Sequence, residues 1–246
     1  MVLISYAVDN AYNDCYKIFS SVKTQNIRRK AMATKVAWDY THQEFTITDY
    51  YYFSILQKVC KENDIEVDEV TDWNKLSEYD VVVFNYPEIP FKPEEVEDVK
   101  KLVESGKRVI ILGYYKNEDN IADTVNTLAT AFGLKMNGDE VTDPVNNHNN
   151  DAYFVVTSKI YKYNEGVERL MLACTPSISL EGENTEAIIE GEETAVSNQN
   201  NKTILGAVYR HPSGGEFVVI GTCVFWDNYS IELYNNKQFA INLLKK

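Results

Sequence analysis

Two uninterrupted apolar runs constrain this chain more than any other feature: DVVVFN at 80–85 and RVIILG at 108–113. Each is too short to be a buried helix and too β-rich for a loop, so each reads as a strand covered on both faces. A helix pattern follows each of them. After the first, Pro93-Glu94-Glu95 opens a helix, because proline fits the first turn and carboxylates favour its positive end. Val96, Val99 and Val103 form its buried stripe, and Gly106 supplies a left-handed cap. After the second run, Ile121, Val125, Leu128 and Phe132 mark another helix, closed by Gly133.

An earlier unit has the same order. KVAW (35–38) reads as a short strand, and Asp49 to Glu62 carries Phe53, Leu56 and Cys60 at helical spacing. IEVDEV (65–70) alternates apolar and acidic residues as a half-buried strand does. Successive strand-then-helix units predict an α/β fold with a doubly wound parallel sheet and right-handed crossovers. The second half reads as mostly antiparallel strands, at 152–157, 169–174, 186–190, 203–210 and 216–222, with HPSGG (211–215) as a hairpin turn. Asn236 to Leu244 reads as a closing helix, with Phe239, Ile241 and Leu243 or Leu244 inward. The stretch Glu181–Asn201, with six glutamates and no basic residue, reads as including a mobile surface loop.

Charge and cysteine usage narrow the functional classes. The 246 residues hold 24 basic and 37 acidic side chains, a net charge of −13 that repels phosphate backbones and anionic lipid. Nucleic acid is therefore not an expected partner, and no apolar run is long enough to cross a bilayer. The first thirty residues carry basic positions without an apolar block and cleavage site, so no secretory signal is read there. Cys15, Cys60, Cys174 and Cys223 have no close spacing, which predicts free thiols and a cytoplasmic location. Met1–Lys35 has 2 acidic and 6 basic residues against 14 and 5 in Lys61–Glu104, so the N-terminal arm could lie on the acidic body.

In an open parallel sheet, ligands sit beyond the carboxyl ends of the strands, so the loops there are where a site is expected. WDYTHQEFT (38–46) brings Asp39, His42 and Glu44 into one loop, where an imidazole beside carboxylates could act as an acid–base pair or half of a metal site. One histidine with two acids is a weak metal signal, and such residues commonly satisfy loop backbone groups instead. No metal or cofactor is expected. NYPEIPF (85–91) offers Asn85, Tyr86 and Glu88 to a polar pocket. GYYKNEDN (113–120) stands where hydrolases and amidotransferases mount a nucleophile on a sharp strand-to-helix turn, and here Tyr114 and Tyr115 occupy it. A phenol with a pKa near 10 is a poor nucleophile at neutral pH. GTCVFWDN (221–228) offers Cys223 as a small core hydrophobe and Asp227 as a turn cap or pocket acid. Seventeen tyrosines with Trp38, Trp73 and Trp226 invite a sugar-stacking reading, although packing accounts for most of them. His148 and His211 have no partner at ligand spacing and receive no role. No glycine loop of the phosphate-cradling kind follows any strand, which disfavours nucleotide chemistry.

WDYTHQEF, the block YDVVVFNYPEIPFKPEEVEDVKKLVESGKRVIILG and the terminal GGEFVVIGTCVFWDN with NNKQFAINLL together resemble the class I glutamine amidotransferase-like superfamily, in its non-catalytic branch related to gliding-motility auxiliary and intraflagellar transport domains. The resemblance covers residues 35–246 as one domain and leaves residues 1–34 as an extension. It implies a flavodoxin-like sheet that has lost the amidotransferase triad and serves in binding or assembly, with a sugar-related ligand in some members. Thr222 and Cys223 depart from the acidic residue and serine that relatives often carry there.

Two readings follow. In the first, the domain is non-catalytic and Asp39, His42, Asn85, Glu88, Tyr114 and Asp227 line a strand-end pocket for a small polar or sugar-like ligand, or support a protein partner. In the second, it is a hydrolase acting on a glycan or amide through Asp39, His42 and Glu88.

Overall fold

A computed structural model describes residues 33–246, so the N-terminal extension and its Cys15 lie almost wholly outside the described residues. From Thr34 onward the chain forms a mixed α/β domain on a seven-stranded sheet. Its first half runs β1 (Thr34–Asp39), α1 (Tyr50–Glu62), β2 (Ile65–Val70), a 3-10 segment (Trp73–Glu78), β3 (Val81–Asn85), α2 (Pro93–Glu104), β4 (Arg108–Leu112) and α3 (Ile121–Ala129). The strands and α-helices form where the apolar spacing predicts them, except that α3 gives way at Thr130–Phe132 to a 3-10 turn; the 3-10 segment at Trp73–Glu78 has no counterpart in that reading. Asp49 caps α1 by accepting from the Tyr51 amide, Pro93 opens α2, and Gly133 takes the left-handed conformation (φ 68°) that ends the 3-10 turn after α3. On α2 the buried stripe is Val99, Leu102 and Val103; Val96 is only half-buried.

The second half adds the short strands β5 (Leu134–Met136), β6 (Val141–Thr142) and β7 (Asn147–His148), then β8 (Asp151–Thr157) and β9 (Leu170–Ala173). β10 (Ile178–Leu180), β11 (Thr185–Glu190), β12 (Val196–Ser197), β13 (Ile204–Arg210), β14 (Glu216–Ile220) and α4 (Asn236–Leu244) follow. The main sheet has the order β11-β13-β14-β4-β3-β1-β2. Its five strands from β14 to β2 are parallel, while β13 and β11 add antiparallel at one edge. β14 thus departs from the expected antiparallel half: it pairs antiparallel with β13 and parallel with β4. Smaller sheets β7-β8-β9, β5-β10 and β6-β12 lie outside it.

Two cores flank the main sheet. Trp38, Leu56, Trp226 and Phe239 belong to one, with α1 and α4; Phe84, Val99, Val125 and Phe217 belong to the other, with α2 and α3. On α4 the inward residues are Phe239, Ala240, Leu243 and Leu244, and Ile241 is half-buried.

The stretch Glu181–Asn201, expected to include a surface loop, holds β11 on the sheet edge and β12, and buried acceptors fix Thr194, Ser197 and Asn201, while 181–184 and 198–200 are exposed. Asp139 accepts from the Ser177 amide (2.8 Å), the Ser197 hydroxyl and the Asn201 amide group (3.0 Å), while Asp143 accepts from Thr194 (2.7 Å). A glutamate-rich composition reports solvated side chains, which does not preclude a pinned backbone. Among the described residues no helix is long and apolar enough to cross a membrane.

Candidate functional site

Asp39, Asn85 and Tyr114 stand at the carboxyl ends of three neighbouring parallel strands, β1, β3 and β4, as the strand-then-helix order predicts. A cavity of about 690 Å³ opens at this end of the sheet, between the strand ends and the β7-β8-β9 sheet. Asn85, Tyr114 and Asp227 line it; Asp39, His42 and Glu88 do not.

Each lining residue is held in place. Asn85 is fully buried, donating to the Phe45 carbonyl (3.2 Å) and accepting from the Trp226 indole (3.1 Å), so its amide is oriented from both ends. Tyr86, next in the chain, has φ 63°, a left-handed conformation costly for a bulky side chain, and its hydroxyl donates to Asp119 (2.8 Å). Its ring meets Phe45 at 5.2 Å and Tyr114 at 5.9 Å, both edge-on, which builds a continuous aromatic wall. Asp227 accepts from the Tyr229 and Ser230 amides through Oδ1 (2.9 and 3.0 Å). Burial outweighs those bonds and lifts its carboxyl to about 6. Burial also pushes the Cys223 thiol to about 12, and it raises the Tyr114 and Tyr86 phenols above their ordinary value. Neither the thiol nor the phenols ionise near neutrality, so the cavity presents no activated nucleophile among these groups.

The sharp turn expected at Tyr114 is not formed. Tyr114 is extended (φ −157°, ψ 161°), and six residues, Tyr115–Asn120, separate it from α3. Lys116, Asn117, Asp119 and Asn120 all have positive φ there, a conformation that asparagine and aspartate tolerate better than most residues. A nucleophile elbow needs the helix to begin at once, and this loop replaces it.

Asp39, His42 and Glu44 do come together, but as a closed cluster. They are 0, 2 and 3% exposed. Asp39 accepts from the Thr41 amide (3.2 Å) and lies 3.1 Å from His42 Nδ1, while the His42 amide donates to Glu44 (3.2 Å). The His42 ring stacks on Phe91 at 4.2 Å, and Nε2 faces Glu95 at 3.4 Å. Burial first, and then the neighbouring Asp39, hold the Glu44 carboxyl well above the usual carboxylate range. Glu88 lies apart on the exposed face, touching the cluster only through its amide on the His42 carbonyl (2.9 Å). The expected pocket of six residues is therefore corrected to three. The trio of the hydrolytic reading is not brought to the cavity: Asp39 and His42 pair within the buried cluster, Glu88 is exposed, and none of the three lines the cavity.

Residues outside the sequence-derived set complete the cavity, chiefly Phe45, Asp119, His148 and Tyr229. Phe45 belongs to the WDYTHQEFT loop and Asp119 to GYYKNEDN, both of which leave the carboxyl ends of sheet strands. His148 arrives from β7, and no local pattern connects it with the strand ends. The tryptophans are not the stacking surface: Trp38 and Trp226 are fully buried in the core.

Fold and site together define a mixed α/β domain with an aromatic and acidic cavity at its strand ends. A family model for a domain of unknown function, DUF4350, matches residues 53–244, and the chain belongs to that family. A protein of Aquifex aeolicus (strain VF5), titled only as uncharacterized, is 60% identical over 222 residues, covering 87% of this chain and 94% of its own. Among solved structures, the mmIFT52 N-terminal domain is similar with a TM-score of 0.70 at 18% identity, over 83% of this chain and 93% of that one. A ThuA-like protein from Parabacteroides merdae reaches a TM-score of 0.46 at 13% identity, over 87% of this chain and 88% of that one.

Proposed function

We propose that this is a non-catalytic binding domain whose strand-end cavity takes a small, neutral, hydroxyl-rich ligand of the saccharide class. The observation that carries this reading is the composition of the cavity wall: tyrosine and phenylalanine faces beside Asn85, Asp119 and Asp227. Aromatic faces stack on the apolar side of a sugar ring, and carboxylates and amides accept and donate to its hydroxyls. Glu118, Asp119 and Asp227 make the cavity unsuited to phosphate or other anions.

The same reading treats the domain as flavodoxin-like and related to the non-catalytic amidotransferase-like branch. The strand order β2-β1-β3-β4-β14 supports this, since it matches the 2-1-3-4-5 pattern with the last strand of the chain in fifth place. The fold likeness to the mmIFT52 N-terminal domain supports it too.

The test is calorimetric titration with a panel of mono- and oligosaccharides on the wild type, Tyr114→Ala and Asp227→Ala. At least one saccharide should bind the wild type, and each substitution should weaken it by about tenfold or more, since lost hydrogen bonds in a pocket cost about 1–3 kcal/mol. Binding indifferent to both substitutions, or none to any saccharide at millimolar concentration, refutes the reading. Glutamine turnover should be absent in the wild type and in Cys223→Ala alike.

A further inference from the structure

The Asp39–His42–Glu44 cluster lies outside the cavity, so the proposed ligand does not account for it. One donor atom from each residue lies within 4.8 Å of the others. Thr41 Oγ1 adds a fourth, 3.0 Å from Asp39 Oδ1 and 2.9 Å from His42 Nδ1. The 2.9–3.1 Å spacings among Asp39, Thr41 and His42 suit the edges of a coordination polyhedron whose metal–ligand bonds are about 2.0–2.2 Å long, with a Glu44 donor atom within 4.8 Å of those of Asp39 and His42.

Two further features point to an occupant. Glu44 is 3% exposed, no protein donor reaches its Oε1, and its carboxyl stands against that of Asp39, so two buried acids face each other. Beyond the cluster, His42 Nε2 faces the Glu95 carboxylate at 3.4 Å. That arrangement, with one ring nitrogen toward the donor cluster and the other toward an outer carboxylate, is the one by which proteins orient a ligating imidazole.

We propose that Asp39, His42 and Glu44, with Thr41, bind one divalent first-row transition cation of the zinc, cobalt or manganese type. The donor set of two carboxylates and one imidazole matches such ions, and two negative charges in a site closed to solvent are balanced by a 2+ ion. With all three residues buried, the ion is structural: it fastens the β1–α1 loop to α2 through Glu95, and it enters as the chain folds.

The experiment uses the full chain, without an affinity tag, produced in zinc-supplemented medium and separately refolded with cobalt(II) chloride. Elemental analysis should give about one ion per chain. X-ray absorption of the cobalt form should show a shell of nitrogen and oxygen without sulfur, which separates this site from any cysteine site. Glu44→Gln should reduce the ion to background while far-ultraviolet circular dichroism stays that of the wild type. Glu95→Gln should retain the ion with about 10–100-fold lower affinity. Should Glu44→Gln fail to fold, the wild-type stoichiometry and absorption shell decide the matter alone. A content below about a tenth of an ion per chain in both preparations, sulfur in the shell, or a folded Glu44→Gln protein that keeps its ion overturns the proposal; the cluster is then a proton shared between two carboxyls.

Discussion

Asp227 carries opposing demands in a single side chain. Its Oδ1 is engaged by two amides, yet burial raises its pKa to about 6, so the fold favours the neutral acid while a hydroxyl-rich ligand is held better by the carboxylate. For an aspartate whose pKa in the folded state is raised, the associated stability is fully present below the unfolded value near 3.9 and is lost as pH rises through about 6. Saccharide affinity should move the other way, strengthening as pH rises through the same window. Asp227→Asn, which preserves the Oδ1 acceptor, should flatten both profiles; denaturant midpoints and titration calorimetry between pH 4 and pH 8 check the pair. The sequence placed Asp227, Asn85 and Tyr114 at strand ends because those residues close or follow strong apolar runs. It could not show which way a loop side chain turns. Asp39 ends β1, but the Thr41 amide and hydroxyl draw its carboxylate back into the loop, an arrangement formed two residues away and visible only once the loop has a shape.

At the scale of elements, α1, α2, β3 and β4 were legible because their signals are local: a cap, a proline, or a run of valines. The strands β5, β6, β7, β10 and β12 were not, since two or three residues cannot display a period and their existence depends on partners far along the chain. Asn236 is the clearest case of such dependence. It is fully buried at the start of α4, where its side-chain amide donates to the carbonyls of Met171 (2.9 Å), Phe225 (2.9 Å) and Ser230 (3.1 Å), and its Oδ1 accepts from the Met171 amide (3.0 Å). One asparagine thereby joins β9, the loop after β14 and the last helix. Asn236→Ala leaves these backbone groups unpaired in the core and should cost about 3 kcal/mol or more, measured by urea unfolding. By contrast, Asn242→Ala, on the more accessible side of α4, loses two bonds to loop carbonyls and one from the Gln238 amide (2.9 Å), all in a half-buried setting, and should cost well under half as much.

Across the whole molecule, the pole opposite the cavity is fastened by a charge cluster. Arg108 on β4 donates to Glu216 on β14 (2.8 Å) and to the carbonyls of Leu243 (2.8 Å) and Lys245 (3.0 Å), while Lys162 reaches the same glutamate (2.7 Å). Although burial opposes it, the bonds from Lys162 and Arg108 hold Glu216 at about 2. A lowered carboxylate pKa contributes stability that is present above its ordinary value near 4.3 and is lost as pH falls through about 2. Glu216→Gln should therefore lower stability at pH 7 and remove part of the decline between pH 4 and pH 2, which acid titration of the unfolding midpoint would detect. The sheet order itself was not legible, because nothing within residues 216–220 states that they will pair with a strand a hundred residues earlier.

That pairing has a consequence for how the domain comes into being. β4 lies in the middle of the finished sheet, yet its second neighbour is β14, so while a ribosome is still adding the residues between them, four parallel strands end in a bare edge that is apolar from Val109 to Leu112. An exposed edge of that kind recruits other strands. A fragment that ends before Glu216 is therefore expected to aggregate under conditions in which the full chain does not.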